Sequence, residues 1–514
     1  MADDHKPHLK PGGRIEGGID AVVVGATVDG IAAAALLGKA GLRTVLLGAG
    51  GATTEDEPRE FWGGYFCADG EHLVDGLDPE TIATLDLYRH GLEFARRRLD
   101  SVYFFADGGA LLMDGDLYRT RESVVAMAEH DGARFADFLE SVLDASRALR
   151  PFFEGGPLPP LQQSLSTAAE RFLSASVAEI LDGAFDDPHL KDLLMAEALF
   201  RNSQRPHEPF GFVSLLRRWA GETAGLQGAV AYPKNGALGV RRALRRAAQA
   251  ARVDLRPATG ISRVLVEWDK AAGVEMSDGG QIRAPVVINA SPAQRAFMDC
   301  IGAEHLDIEF QTAIPTARPQ FSSARVHFAL SGEPGDERTL ANMARRLVYA
   351  PSLHEHARAF GAARRGGVEP PLIMEAIFPS VFDPGVAPKR CHVVSAILHP
   401  VAYRDKPDDE FRDRIEAAAR ATFERMAPGS EERIVAVDIR LAGDARDGDA
   451  VRNLAAPANA LDQWARARTL SLSSGIGGYF FCGPEAQIGT GFNGAAGRRA
   501  ALAAIRYVKK RARA

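Results

Sequence analysis

The stretch DAVVVGATVDGIAAAALLGKAGLRTVLLGAGG, residues 20–51, opens with Asp20 and four apolar residues, turns at a glycine, and runs through an alanine-rich segment into a second apolar run. Residues 19–24 and 43–47 are rich in β-branched types and are separated by about fifteen residues of helical composition, which is a βαβ unit. Its turn, Gly25-Ala-Thr27-Val-Asp-Gly30, is a degenerate G-x-G-x-x-G. Gly25 permits the tight turn off the strand and Gly30 the close packing of helix on strand. The N–H groups and dipole of the helix start then face a pyrophosphate position. The middle glycine is Thr27, whose hydroxyl could donate to a phosphate while its methyl takes up space. Gly48 stands where such units place an acid for the ribose.

Two further glycine-rich places follow. Gly50-Gly51 sit just past the second strand, where a plain surface turn is the simpler reading. Residues 480–501, FFCGPEAQIGTGFNGAAGRRAA, run from a strand ending at Cys482-Gly483 through Gly489, Gly491 and Gly494 into an alanine-rich helix. This loop again offers N–H groups at a helix start. Strand–glycine–helix units near both ends, with strands expected at 261–268, 272–276 and 282–289 between them, imply one domain assembled from distant segments.

The rest of the chain reads differently. Residues 133–150 place Phe135, Phe138, Leu139, Val142, Leu143 and Leu149 on one helical face, and GPLPP at 156–160 ends that region. The segments SARVHFALSG, PPLIMEAIFPS, CHVVSAILHP and RIVAVDIRLAG are apolar or alternating, with few helices between them, which suggests an antiparallel sheet. The expected division is a disordered polar tail at 1–18, a discontinuous nucleotide-binding domain at 19–75, 225–310 and 470–514, and a substrate domain at 76–224 and 311–469.

Composition narrows the functions. A chain of 514 residues exceeds one hydrophobic core and should form about two domains. Hydrophobic residues at 46% and charged residues at 25% are ordinary soluble-protein values. A formal net charge of −6 argues against nucleic acid as a partner. The four cysteines, Cys67, Cys300, Cys391 and Cys482, form no C-x-x-C or Cys/His cluster. No metal site is expected, and the pattern suits a reducing cytoplasm. No apolar run is long enough to span a membrane. The basic end RYVKKRARA reads as a solvated helix terminus, compatible with peripheral contact with anionic lipid.

No carboxylate pair or Ser/His/Asp arrangement points to hydrolysis, so the catalytic residues stay unassigned. His72, His90, His327 and His399 are candidate bases whose simpler reading is structural or surface. Cys67 and Cys482 flank the glycine loops and read as small buried hydrophobes rather than a redox pair.

Taken in order, VVVGATVDGIAAAALLGKAGLRTVLL, GGATTEDE, LDLYRHGLEF, YPKNGALGVRRAL, GVEMSDGGQIRAPVVINASP, FPSVFDPGVAP and FFCGPEAQIGTGFNGAAGRRAA make a pattern covering nearly the whole chain. It resembles the phytoene dehydrogenase-like FAD-dependent oxidoreductases, in the branch that includes pyridine nucleotide-disulfide oxidoreductase domain-containing protein 2. The resemblance implies an α/β fold (α+β overall): a Rossmann-type FAD-binding domain with an inserted substrate domain built on an antiparallel sheet plus helices. It implies FAD bound non-covalently, a hydride passed from a small lipophilic substrate to flavin N5, and a desaturase-like reaction. Carried over by position, Gly25, Thr27 and Gly30 would face the pyrophosphate, and Gly50 and Gly51 would lie along the cofactor. Ile261 would contact adenine through its backbone, and Ala290 would end the domain's last strand. Gly483, Gly491 and Gly494 would meet the ribityl chain and ring. Thr27 and Gly48 depart from the family, and Glu485 would bring a negative charge near the flavin or phosphates.

Two other readings compete. One is a catalytically silent relative that keeps the fold as a binding or scaffold protein. The other, a single-domain NAD dehydrogenase, leaves the closing glycine loop without a purpose.

Overall fold

The computed structural model describes residues 15–48, 57–68, 71–115, 117–153, 167–257, 260–314, 320–444, 474–486 and 493–513. Its first layer is a five-stranded parallel sheet in the order Asp254–Arg256, Thr44–Leu47, Ala21–Val24, Val286–Asn289, Tyr479–Phe481. Every neighbouring pair is parallel, with Val24 opposite Leu47 on one side and Asn289 on the other. Strands from three distant parts of the chain thus meet in one sheet, as the two glycine units imply. The two strands of the opening βαβ unit are wholly buried, which is why they read as continuous apolar runs rather than alternations.

Helix Val28–Lys39 packs between helices Ala237–Ala250 and Ala495–Arg511. Alanine at 32–35 lets the helices approach closely, and all four side chains are fully buried. Beside this layer lies a four-stranded sheet in the order Ile15–Glu16, Gln281–Arg283, Lys270–Met276, Ile261–Glu267. The single strand expected at 282–289 is therefore two strands in two sheets. Pro285 falls between them; it has no N–H to donate to a ladder and marks the break. The tail expected to be disordered through residue 18 already pairs at Ile15 and Glu16, parallel to Gln281 and Ile282.

The second body is a seven-stranded sheet in the order Ile434–Leu441, Phe321–Leu330, His392–Ala402, Ile373–Ile377, Arg346–Tyr349, Ser101–Phe104, Ala110–Met113. It contains all four of the segments expected to form an antiparallel sheet. The one departure is the parallel pairing of Arg346–Tyr349 with Ser101–Phe104, which makes the sheet mixed.

Helix Gly132–Phe153 covers one face with Phe135, Phe138, Leu139, Val142 and Leu149 buried, and helix Asp409–Met426 packs on the other through Phe411, Ile415 and Phe423. Both faces are thus covered, and strand Phe321–Leu330 is buried along its whole length. Packing near residues 57–92 crosses the expected domain line. Tyr65 packs with Ala329, Val386 and Val393 of the second body, whereas Ile82, Leu85, Leu87 and Leu92 join the core of the first. Among the described residues no helix is long and apolar enough to cross a membrane.

Candidate functional site at the switch point of the parallel sheet

In a sheet of this order the chain leaves the first and fourth strands in opposite directions, and a crevice opens at their carboxyl ends. Those ends are Val24-Gly25 and Asn289-Ala290. The Ala290 N–H donates to the Val24 carbonyl at 2.8 Å, and the Gly25 N–H to the Leu47 carbonyl at 2.9 Å. Gly25 has φ +94, a left-handed conformation that favours glycine, and its α-carbon faces Ala290. At Gly30 a β-carbon would lie 1.9 Å from the Gly25 carbonyl oxygen, so no larger residue fits.

Thr27 is the helix N-cap. Its backbone is extended (φ −68, ψ 167), and its hydroxyl accepts the Gly30 N–H at 3.0 Å. The backbone there does not require glycine, so threonine is accommodated without strain. The consequence is that one N–H of the helix start is satisfied within the chain.

The closing segment reaches the same place. The Cys482 N–H donates to the Asn289 carbonyl at 2.9 Å, and a β-carbon on Gly483 would lie 2.1 Å from the Ser291 carbonyl oxygen. Gly494, at φ +80, begins the last helix beside Ala32 and Thr81. One turn in, the Gly497 N–H donates to the Asp29 carboxylate at 2.8 Å, and a β-carbon at 497 would lie 2.0 Å from the Asp29 carbonyl. Arg498 pairs with Asp78 at 2.6 Å, while the Asp78 N–H donates to the Asn493 carbonyl at 2.9 Å. Residues 25–30, Gly483 and residues 494–497 therefore border one crevice.

The other expected positions fall as follows. Gly50, Gly51 and Gly491 lie outside the described residues. Ala290 is fully buried between Gly25 and Gly30. Ile261 opens the outer strand of the four-stranded sheet, and its carbonyl accepts from the Arg295 guanidinium at 2.6 Å. Glu485 is not free to face a cofactor as its charge suggested, because its carboxylate accepts the Ala293 N–H at 3.0 Å. Gly48 has φ +95 and its β-carbon would press on the Ala26 nitrogen at 3.3 Å. An acid at that position would be strained by the backbone it sits on.

Of the candidate bases, His72, His327 and His399 are buried and His90 is half-buried. Burial, reinforced by the Arg325 charge, pushes His72 down to about 3, and burial together with neighbouring His356 takes His399 to about 3. Cys67 and Cys482 are both buried thiols. Among the described residues, Cys67, His327 and Asp438 offer ligand atoms within 4.8 Å of one another. The Arg59 guanidinium already supplies the cation there, 2.6 Å from Asp438 and 3.4 Å from the Cys67 sulfur.

A polar group that sequence reasoning did not assemble lies where residues 71–72 pass against strand Phe321–Leu330. Glu71 pairs with Arg201 at 2.9 Å and with Arg325 at 3.2 Å. Burial pushes its carboxyl up, but the two guanidiniums more than offset this and hold it below the usual carboxylate range. The rings of His72 and His327 meet edge to face, 5.7 Å apart. The signal available beforehand was Arg325 and His327, two residues apart in an otherwise apolar run and so on one face of a strand.

A parallel sheet of this order with a glycine-lined crevice at its switch point defines a dinucleotide-binding flavoprotein fold, and solved structures share it over nearly the whole chain. A putrescine oxidase variant aligns over 97% of this chain with a TM-score of 0.64 and 16% identity. An oxidoreductase from Methanosarcina mazei aligns over 96% with a TM-score of 0.61 and 15% identity. Both are covered over their full length.

Among curated sequences the chain is similar to pyridine nucleotide-disulfide oxidoreductase domain-containing protein 2 of Mus musculus, with 25% identity over 97% of this chain and 95% of that protein. It is also similar to a phytoene desaturase of Cercospora nicotianae, with 25% identity over 54% of this chain and 46% of that protein. No family model matches the chain. Sequence similarity and fold together support an oxidoreductase, and its relatives point to a flavin cofactor.

Proposed function

We propose that the protein is an FAD-dependent oxidoreductase of the dehydrogenase or desaturase kind, acting on a small lipophilic substrate. The observation that carries this reading is the convergence of residues 25–30 with Gly483 and residues 494–497 on one crevice at the switch point of the parallel sheet. The glycines at 30, 483 and 497 leave no room for β-carbons and Gly25 holds a left-handed turn, so the backbone itself forms the walls.

FAD held there would supply a flavin N5 that accepts hydride from carbon. Gly25, Thr27 and Gly30 would hold the pyrophosphate at the start of helix Val28–Lys39, where the helix dipole favours negative charge. Ala290, Gly483, Gly491 and Gly494 would line the remainder of the cofactor, with Gly50 and Gly51 along its adenosine half and Ile261 near the adenine. With no side chain at Gly48, the ribose has no carboxylate from that position. The covered seven-stranded sheet would wall the substrate side and exclude water.

The test is direct. Purified protein should be yellow, and the chromophore released on denaturation should be FAD. A colourless protein that takes up no added FAD would support the silent relative instead. Anaerobic bleaching by a candidate lipophilic substrate identifies the reductive half-reaction.

A further inference from the structure

The polar group around Glu71 plays no part in the crevice, and it is incomplete. His72, Arg325 and His327 are 5%, 1% and 0% exposed. Neither ring nitrogen of His72 or of His327 has a hydrogen-bond partner among the described residues, nor does Nε of Arg325. Each buried polar atom left unpaired costs about 1–3 kcal/mol. Five in one place contrast with the equally buried Arg346 on the same sheet, which bonds Glu375 at 2.5 Å and Glu197 at 2.7 Å. The Arg346 network is finished by the protein itself. The Arg325 group calls for a guest.

Charge decides what kind of guest. Arg201 and Arg325 share the Glu71 carboxylate, with Glu375 and Asp75 acting on Arg201 from farther off, and Arg59 and Arg440 flank His327 beside Asp438. The charges that act on the His327 ring are cationic, and burial together with Arg325 and these cations holds both histidines neutral. A metal ion would meet the guanidiniums as like charge here, whereas an anion would meet them as donors together with one N–H from each neutral imidazole.

Position ties the group to the crevice. The Ala237 N–H donates to the Glu71 carbonyl at 2.7 Å. Six residues beyond His72 the chain reaches Asp78, which bonds the last glycine loop, a span of at most ~20 Å.

We propose that Arg325, His72 and His327 form a binding site for a carboxylate, so that the substrate is a lipophilic molecule with one acidic end. The identification of the guest as substrate rests on the flavoprotein reading; the carboxylate site itself does not.

Calorimetric titration of the purified full-length protein with dodecanoate, dodecanol, acetate and phenylacetate tests the site without any flavin signal. Dodecanoate should bind at least roughly tenfold more tightly than dodecanol, and Arg325→Met should abolish the difference. His72→Phe removes two orphaned nitrogens and should fold at least as stably, yet weaken dodecanoate about fivefold or more.

Equal affinities for acid and alcohol, no binding of any of the three carboxylates, or an unchanged dodecanoate affinity in a stable His72→Phe protein would overturn the proposal. A colourless protein that prefers dodecanoate keeps the carboxylate site and loses the flavin reading. A yellow protein without the preference does the reverse.

Discussion

The crevice of the parallel sheet and the polar group on the mixed sheet are both binding features, and they are built in opposite ways. The crevice is made of backbone: glycines at 25, 30, 483 and 497 bring chain against chain with no side chain between. The polar group is made of side chains, with Glu71, His72, Arg201, Arg325 and His327 brought from three separate segments into one buried cluster. Backbone recognition tolerates changes in side-chain chemistry, as Thr27 shows, but no change in bulk. Side-chain recognition tolerates small shifts of backbone but depends on protonation and charge.

Perturbations should therefore separate the two. The largest effect is expected from Gly30→Ala, whose new β-carbon would fall on the Gly25 carbonyl. Overpacking against backbone should cost about 3 kcal/mol or more, seen as insoluble or cofactor-free protein, with Gly497→Ala close behind.

Acidification should strike the other region. His72 and His399 are held at about 3 and His356 at about 4, chiefly by burial, against an unfolded value near 6.5. Their stabilising contribution is present in full above pH ~6.5 and is lost as pH falls toward those folded values. At pH ~5 each forfeits about 2 kcal/mol. Asp192, raised by burial to about 7, changes in the opposite sense and offsets roughly one of them. His327, which burial likewise holds well below its free value, adds as much again, so denaturant titrations at pH ~7.5 and ~5 should differ by about 5 kcal/mol.

Gly48→Glu should fail to restore a ribose contact. At φ +95 any side chain is strained, so a loss of about 1–2 kcal/mol with no gain in FAD affinity is expected from thermal unfolding and flavin titration.

The smallest stability change belongs to Thr27→Gly. Glycine is nearly as good an N-cap, so only a few tenths of a kcal/mol should be lost. The Gly30 N–H is released, and FAD should bind several-fold more tightly. Unchanged affinity in that variant would mean that the hydroxyl was never in competition with a phosphate.

The same contrast explains what could be read from residue order. Glycines at fixed offsets between an apolar run and an alanine-rich helix encode a local backbone path, so the crevice was legible from residues 20–51 and 480–501. Helix 133–150 was legible for a similar reason, because its apolar spacing is local, and it extends to Gly132–Phe153.

The mixed character of the large sheet was not legible, since the pairing of Arg346–Tyr349 with Ser101–Phe104 joins strands far apart in the chain. Nor was the partner of Asp29, 468 residues away at Gly497. Glu71, Arg201 and Arg325 sit in unremarkable surroundings, and nothing local says that they meet. Arg325 and His327 in an otherwise apolar strand did carry a hint, because a charge in a fully buried strand requires a partner.

The fifth strand of the parallel sheet, Tyr479–Phe481, has a consequence for how the molecule is made. The strand it pairs with, Val286–Asn289, leaves the ribosome about 190 residues earlier, and at about 5–20 residues per second that interval is roughly 10–40 s. Throughout it, the edge of Val286–Asn289 that will receive Tyr479–Phe481 is open, and the alanine face that will meet the last helix is bare. The nascent chain is a template in search of a strand, and a chaperone that shields it during synthesis should raise the yield of native protein more than one added after release.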